Sequence, residues 1–136
     1  MFKCIRCGKC CVKTQMVLGP TDILRITKLG YKLKEFSVIS KDGLLRLKNI
    51  NDHCVFYNPN TRKCNIYRWR PKGCRIYPIV YFIEDNIITV DNECTMAHTV
   101  SEEYLIQVLP EMIYLLGELG IEVDLSGLRV LLRHRR

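Results

Sequence analysis

The sequence predicts a small single α+β domain, in which cysteine-rich metal-binding loops and short antiparallel hairpins pack against N-terminal and C-terminal helices. Three observations carry this. The chain has 136 residues, 48% of them hydrophobic, which supports one modest core. Its eight cysteines fall into groups instead of scattering. Helical spacing of apolar residues occurs near the start and in the last third, and short segments punctuated by turn residues lie between.

The opening stretch reads Phe2-Lys-Cys4-Ile-Arg-Cys7-Gly8-Lys-Cys10-Cys11. So many cysteines leave little for regular structure, so a loop wrapped around metal is expected, with Gly8 allowing a tight turn. Pro20, Thr21 and Asp22 open a helix in which Ile23, Ile26 and Leu29 share a face, and Gly30 ends it. After the Asp42-Gly43 turn, Leu44, Leu45 and Leu47 form a short strand. Residues 54–67 read as a hairpin about Asn58-Pro59-Asn60-Thr61. Residues 67–74 form a short connection, followed by a second hairpin, Ile76 to Ile83 with Ile87 to Val90. Pro78 places its first strand at an edge or breaks it. A helix from about Ser101 to Leu119 is capped by Ser101, or by Thr99 with Glu102, and ended by Gly120; Pro110 kinks or splits it. A second helix is expected from about Leu125 to the basic end. The organisation expected is a cysteine-cluster region over residues 1–98 and a helical extension over 99–136 packed on the same domain.

No apolar segment precedes Cys4 to act as a secretory signal, and no run of about 18 apolar residues exists. The chain is therefore read as cytoplasmic, without a membrane partner. In a reducing compartment, clustered cysteines favour metal over disulfides, although the even count leaves disulfides formally open. The formal charge is +7. If all eight cysteines were thiolates around two zinc ions or two oxidised 4Fe-4S cores, the metallated chain would carry about +3. That is weak support for a nucleic-acid partner; a redox or protein partner is the other expectation.

The candidate metal ligands are Cys4, Cys7, Cys10, Cys11, Cys54, Cys64, Cys74 and Cys94. The first four form a C-x2-C-x2-C-C run, and Cys54, Cys64 and Cys74 are each separated by nine residues. Two-residue gaps let consecutive thiolates curl around a compact cubane while loop amides point at its sulfurs, as in the three-cysteine opening of bacterial ferredoxins. Here Cys11 follows Cys10 directly, so the ferredoxin pattern is not reproduced. In extended chain, neighbouring side chains point to opposite sides. On that basis Cys10 joins Cys4, Cys7 and one late cysteine, while Cys11 joins the other three. A single centre with spare thiols stays open. So does a purely structural role for Cys94, since cysteine is also a small buried hydrophobe. One or two 4Fe-4S clusters are favoured over zinc, because zinc sites usually pair two C-x2-C knuckles and the second group has none. Zinc remains the alternative, since it binds any four thiolates tightly.

The ordered string of Phe2-x-Cys4-x2-Cys7-Gly8-x-Cys10-Cys11, Thr21-Asp22-Ile23, Cys54-x-Phe56 and Cys64-x-Ile66-Tyr67-x2-Arg70-Pro71-x2-Cys74-x2-Tyr77-Pro78 resembles the zinc- or iron-chelating CxxCxxCC family, the YkgJ-type cysteine-cluster proteins. The likeness covers about residues 2–80, with Cys94 a further member. It implies metal binding through the eight cysteines and says little about a reaction. A similar cysteine-rich region in flagellin lysine methylases implies that some relatives are enzymes.

Arg70 is read as a counter-charge to a thiolate-rich centre. Tyr67 and Tyr77 are expected to pack over the metal region; Trp69, beside Arg68 and Arg70, has the chemistry to stack on a base, but a packed aromatic is the commoner role. His53 is the best histidine candidate for ligation, though a solvent-facing role is the commoner one; His98 lies before the long helix, and His134 sits at the basic end. The leucine-rich stripe of residues 104–116 reads as core. No Ser-His-Asp set, phosphate-binding glycine loop or HExxH signature is present, so no catalytic residue is assigned. Three roles remain: electron transfer through iron–sulfur, a zinc-stapled module for protein or RNA interaction, and a cluster-dependent enzyme or accessory subunit.

Overall fold

The computed structural model describes residues 9–133. These form the mixed helix-and-strand architecture expected, in two units, residues 9–75 and 76–133. Cys4, Cys7 and His134 lie outside the described residues.

In the first unit, a 3-10 turn over Lys9–Cys11 leads to α1, Pro20–Lys28. Proline suits a first helical turn because its missing N–H has no partner there anyway. The helix stops at Leu29, and Gly30 follows at φ 106°, the left-handed region that glycine enters freely. The short α2, Leu33–Phe36, runs into β1, Ser37–Ile39, which pairs antiparallel with β2, Leu45–Leu47. Next, β3, Asn49–Ile50, pairs with β4, His53–Cys54. Their two-residue loop has positive φ at both Asn51 (52°) and Asp52 (67°). That is the primed turn whose twist matches a hairpin, and Asn and Asp tolerate it best after glycine. A further hairpin joins β5, Tyr57–Asn58, to β6, Lys63–Cys64. After a 3-10 turn over Tyr67–Trp69 comes α3, Lys72–Ile76. The core of this unit is Leu18, Ile26, Phe36, Leu47, Cys54, Phe56 and Ile66. Tyr31 meets Phe56 edge-on at 5.0 Å between ring centroids, a favoured aromatic geometry.

In the second unit, β7 (Ile79–Phe82) and β8 (Ile87–Val90) form the expected hairpin. Ile76 belongs to α3 instead of the strand, so the chain becomes extended only after Pro78. The long helix α4 spans Glu102–Glu118, with the Ser101 hydroxyl accepting from the Tyr104 N–H at 3.1 Å. Pro110 does not split it. Its ring lies on the exposed face, so the lost hydrogen bond falls on the solvent side. At the far end the N–H of Ile121 reaches the Leu116 carbonyl and that of Gly120 reaches Gly117. Gly120, at φ 75°, thus closes a Schellman cap.

The helix expected from Leu125 onward is replaced by a turn and β9, Arg129–Val130, which pairs parallel to β8. The reason is legible in the packing. Leu128, Val130 and Leu132 all pack on the unit's core, a period of two that suits a strand and not a helix. Asp124 holds the preceding turn, accepting from the N–H and hydroxyl of Ser126. The core gathers Ile76, Ile79, Ile88, Val90 and Val100 with Leu105, Val108, Met112, Leu115 and Leu116 from α4, so the residue 104–116 stripe is core, as read. Among the described residues no helix is long and apolar enough to cross a membrane.

Gly120→Ala tests the cap cleanly, because nothing lies within 4 Å of an added Cβ. The expected loss is about 1 kcal/mol from left-handed strain alone, read as a lower midpoint in urea denaturation.

Candidate metal centre

Three separate devices in the residue 9–75 unit bring cysteines together. The first tethers the opening loop to the β3–β4 hairpin. Val12 forms a bridge with His53, and the Lys13 N–H donates to the Asp52 carbonyl at 2.7 Å. The Asn49 side chain pairs with the Thr14 backbone, donating to its carbonyl at 2.9 Å and accepting from its N–H at 3.0 Å. Cys10 and Cys11 are thereby held beside Cys54. The second device is the β5–β6 register, which sets Cys64 opposite Tyr57, while the Asn65 N–H donates to the Phe56 carbonyl at 2.7 Å.

The third is a buried carboxylate. Asp22 is fully buried and serves three donors: the Gly19 N–H at 2.9 Å, the Arg25 guanidinium at 2.8 Å and the Lys72 N–H at 2.9 Å. Arg25 also donates to the Arg70 carbonyl at 2.9 Å. One carboxylate thus ties the start of α1 to the start of α3, which carries Cys74. Gly73 lets α3 pack on Met16, whose sulfur would stand 2.2 Å from an added Cβ.

The result is a group of five thiols, Cys10, Cys11, Cys54, Cys64 and Cys74, that act on one another electrostatically. Cys10 is exposed at its rim; Cys11, Cys64 and Cys74 pack against the core and Cys54 belongs to it. The premise that Cys10 and Cys11 face opposite ways does not hold. They occupy a 3-10 turn, not extended chain, and the Cys11 thiol donates to the Cys10 sulfur. The argument for assigning them to different centres goes with it. Cys94 belongs to the other unit, where its N–H donates to the Asp91 carbonyl at 3.3 Å.

The thiols differ in proton affinity. The hydrogen bond from Cys11, with help from the Arg70 charge, brings Cys10 down to about 7. The same bond, together with burial, pushes Cys11 up. Burial raises Cys54 to about 11, against amide donors at Phe56 and Tyr57. Cys64 is raised by burial, opposed by the Ile66 amide and Arg70, and Cys74 is raised well up by burial. Amides two residues beyond Cys54 and Cys64 therefore point at the sulfurs. Such donors stabilise thiolates whose charge a metal shares.

Arg70 occupies the place expected of a counter-charge, and its guanidinium lowers Cys10, Cys64 and Cys74. Its Nε donates to the Tyr67 carbonyl at 2.9 Å, and the guanidinium lies 3.8 Å from the centre of the Tyr67 ring. The His53 ring packs edge-on to Tyr57, its Nδ1 3.2 Å from the Cys54 carbonyl oxygen. His98 is exposed in the 3-10 turn before α4. Tyr77 lies in the second unit, where its hydroxyl donates to Asp91 at 2.7 Å. Trp69 is not packed away: it is 45% exposed. The functional residue that the sequence reading left without a role is Asp22, whose place in the Thr21-Asp22-Ile23 motif was the available signal.

The donor set suits a soft or borderline metal. Five sulfurs, amide donors and one guanidinium match zinc or iron–sulfur ligation and offer no oxygen cage for calcium or magnesium. Among the described residues no three His, Cys, Asp or Glu side chains are already gathered at ion-holding distance.

A family model named CxxCxxCC, described as "Putative zinc- or iron-chelating domain", matches residues 3–97. The chain is 29% identical over 96 residues to an uncharacterized protein, MJ0661, of Methanocaldococcus jannaschii; the match covers 65% of this chain and 50% of the relative. The chain thus spans about half the length of that curated relative. No solved structure matches.

Two predictions follow from this geometry. Asp22→Ala leaves the half-buried Arg25 guanidinium and two backbone N–H groups without their acceptor, and should cost about 3 kcal/mol in urea denaturation. In metal-free protein, alkylation by iodoacetamide tracks the thiolate. Cys10 should therefore gain reactivity as pH rises through about 7, and Cys54 only through about 11, read by peptide mass spectrometry.

Proposed function

The chain belongs to the CxxCxxCC family of zinc- or iron-chelating domains, and from that premise we propose that its converging thiols hold an iron–sulfur centre used for electron transfer or carried as an accessory. The single observation that supports this reading is the group of five mutually interacting thiols in one unit, with backbone amides and Arg70 directed at them. Zinc sites usually pair two C-x2-C knuckles, and Cys54, Cys64 and Cys74 supply no second one. Hydrogen bonds to sulfur are the usual means of tuning a cluster's potential.

In this reading Cys54, Cys64 and Cys74 are the inner ligands, with Cys10 and Cys11 at the edge. Cys4 and Cys7 of the same run complete the set. Once metallated, an iron–sulfur group supplies one-electron chemistry. This chain's residues do the rest. Arg70 offsets the negative charge of the thiolates, the Phe56, Tyr57 and Ile66 amides hold the sulfurs, and the Phe36–Phe56 core excludes water behind them.

Zinc as a structural staple is the second reading, favoured by the burial that keeps Cys54, Cys64 and Cys74 protonated until a cation displaces the proton. Anaerobic purification followed by iron, acid-labile sulfide and zinc analysis separates the two. Iron and sulfide in similar amounts, with visible charge-transfer absorption, are expected; stoichiometric zinc without sulfide would refute the iron–sulfur assignment. Cys7→Ser should lose most of the bound metal, whereas His134→Ala should keep it. Equal retention in both would remove the opening run from the site.

A further inference from the structure

The formal charge of +7 conceals a division. Residues 9–75 contain fifteen Lys and Arg against four Asp and Glu, a net of +11, whereas residues 76–128 contain no Lys or Arg at all. The five cysteines of residues 9–75 cannot cancel this. Even with every one a thiolate and no metal charge counted, the segment keeps +6. The whole-chain figure therefore understates how basic this unit is.

The excess is densest between the ligand cysteines. Residues 62–75 carry Arg62, Lys63, Arg68, Arg70, Lys72 and Arg75 and no carboxylate. Arg62, Lys63, Arg68 and Arg75 are exposed. Among these cations stands Trp69, 45% exposed in its 3-10 turn, with the Arg68 guanidinium 6.0 Å from its ring centre. An indole face left in water costs hydrophobic free energy. Here its turn is bounded by Cys64 in β6 and by Cys74 in α3, and the Asp22–Arg25 clamp grips the chain at Arg70 and Lys72. The loop is thus fixed at both ends, so a partner meets it without a large ordering cost.

We propose that residues 62–75 form a binding surface for single-stranded nucleic acid, in which Trp69 stacks on a base and Arg62, Lys63, Arg68 and Arg75 meet phosphates. Exposed indole beside guanidinium matches both parts of a nucleotide. A base in a duplex is stacked on both faces and closed to Trp69, which selects single strands. A carboxylate-rich protein surface would engage the cations and leave the indole without a use. The surface stands on charge and exposure and is independent of which metal the thiols bind.

The test uses the full chain purified anaerobically, titrated into fluorescein-labelled mixed-sequence single-stranded RNA and, in a parallel arm, DNA of the same sequence. Anisotropy should rise, Trp69 fluorescence should be quenched, and log affinity should fall linearly with log salt. Trp69→Ala should weaken binding roughly tenfold, the scale of one lost base stack, with metal content and circular dichroism unchanged; Trp69→Phe should retain most of the affinity. Arg68→Gln should weaken binding and flatten the salt slope. The RNA and DNA arms distinguish a role for the 2′-hydroxyl. Unchanged affinity in Trp69→Ala overturns the proposal, as does the absence of binding at low salt. Tighter binding of polyglutamate than of the oligonucleotides also overturns it, in favour of an acidic protein partner.

Discussion

A single buried carboxylate organises the cysteine-bearing unit. Asp22 sits where α1 begins, and its two oxygens serve backbone donors from Gly19 and Lys72 and the guanidinium of Arg25. A charge buried this completely is tolerable only when its hydrogen-bond capacity is filled. One of these donors, Lys72, lies fifty positions from Asp22 in the chain. The bond therefore does more than cap a helix. It sets the start of α3 against α1, and with it the position of Cys74 and the backbone from which Arg70 reaches the sulfurs.

The thiols are held by opposed electrostatic influences. Burial favours the neutral thiol at Cys54, Cys64 and Cys74, while amides and Arg70 favour the thiolate at one or more of them. A cation supplies what these opposed terms lack, a positive charge close enough to repay desolvation. Among these five thiols only Cys10, exposed and accepting from the Cys11 thiol, is pushed toward the thiolate. The site is thus graded from a reactive edge to a protonated interior.

Particular residues show what could be read in advance. The C-x2-C-x2-C-C run and the spaced Cys54, Cys64 and Cys74 announced their chemistry through residue type and spacing alone, and the family match over residues 3–97 agrees with them. Pro20 to Gly30 and Ser101 to Gly120 were legible as helices because caps and apolar spacing coincide there. The residues after Leu125 were misread: their leucines fit a helix locally, but pairing with β8 and the packing of Leu128, Val130 and Leu132 on the core won. The relation of Cys10 to Cys11 was also misread, since a rule for extended chain was applied to what is a 3-10 turn. Trp69 was expected to be packed because large aromatics usually are, and its exposure depends on a loop whose ends are fixed elsewhere.

Sequence alone determined the kind of chemistry, because sulfur donors at short intervals belong to few other uses in a chain of this composition. It also determined the helices whose signals are local. Tertiary structure decided which thiols become neighbours, which way the tail pairs, and that Asp22 joins two distant helix starts. Those outcomes rest on contacts between residues far apart in the chain, and such contacts leave no periodic trace along it. The uneven spread of charge stood in the sequence throughout, yet it acquired meaning only when the fold showed where one unit ends and the next begins.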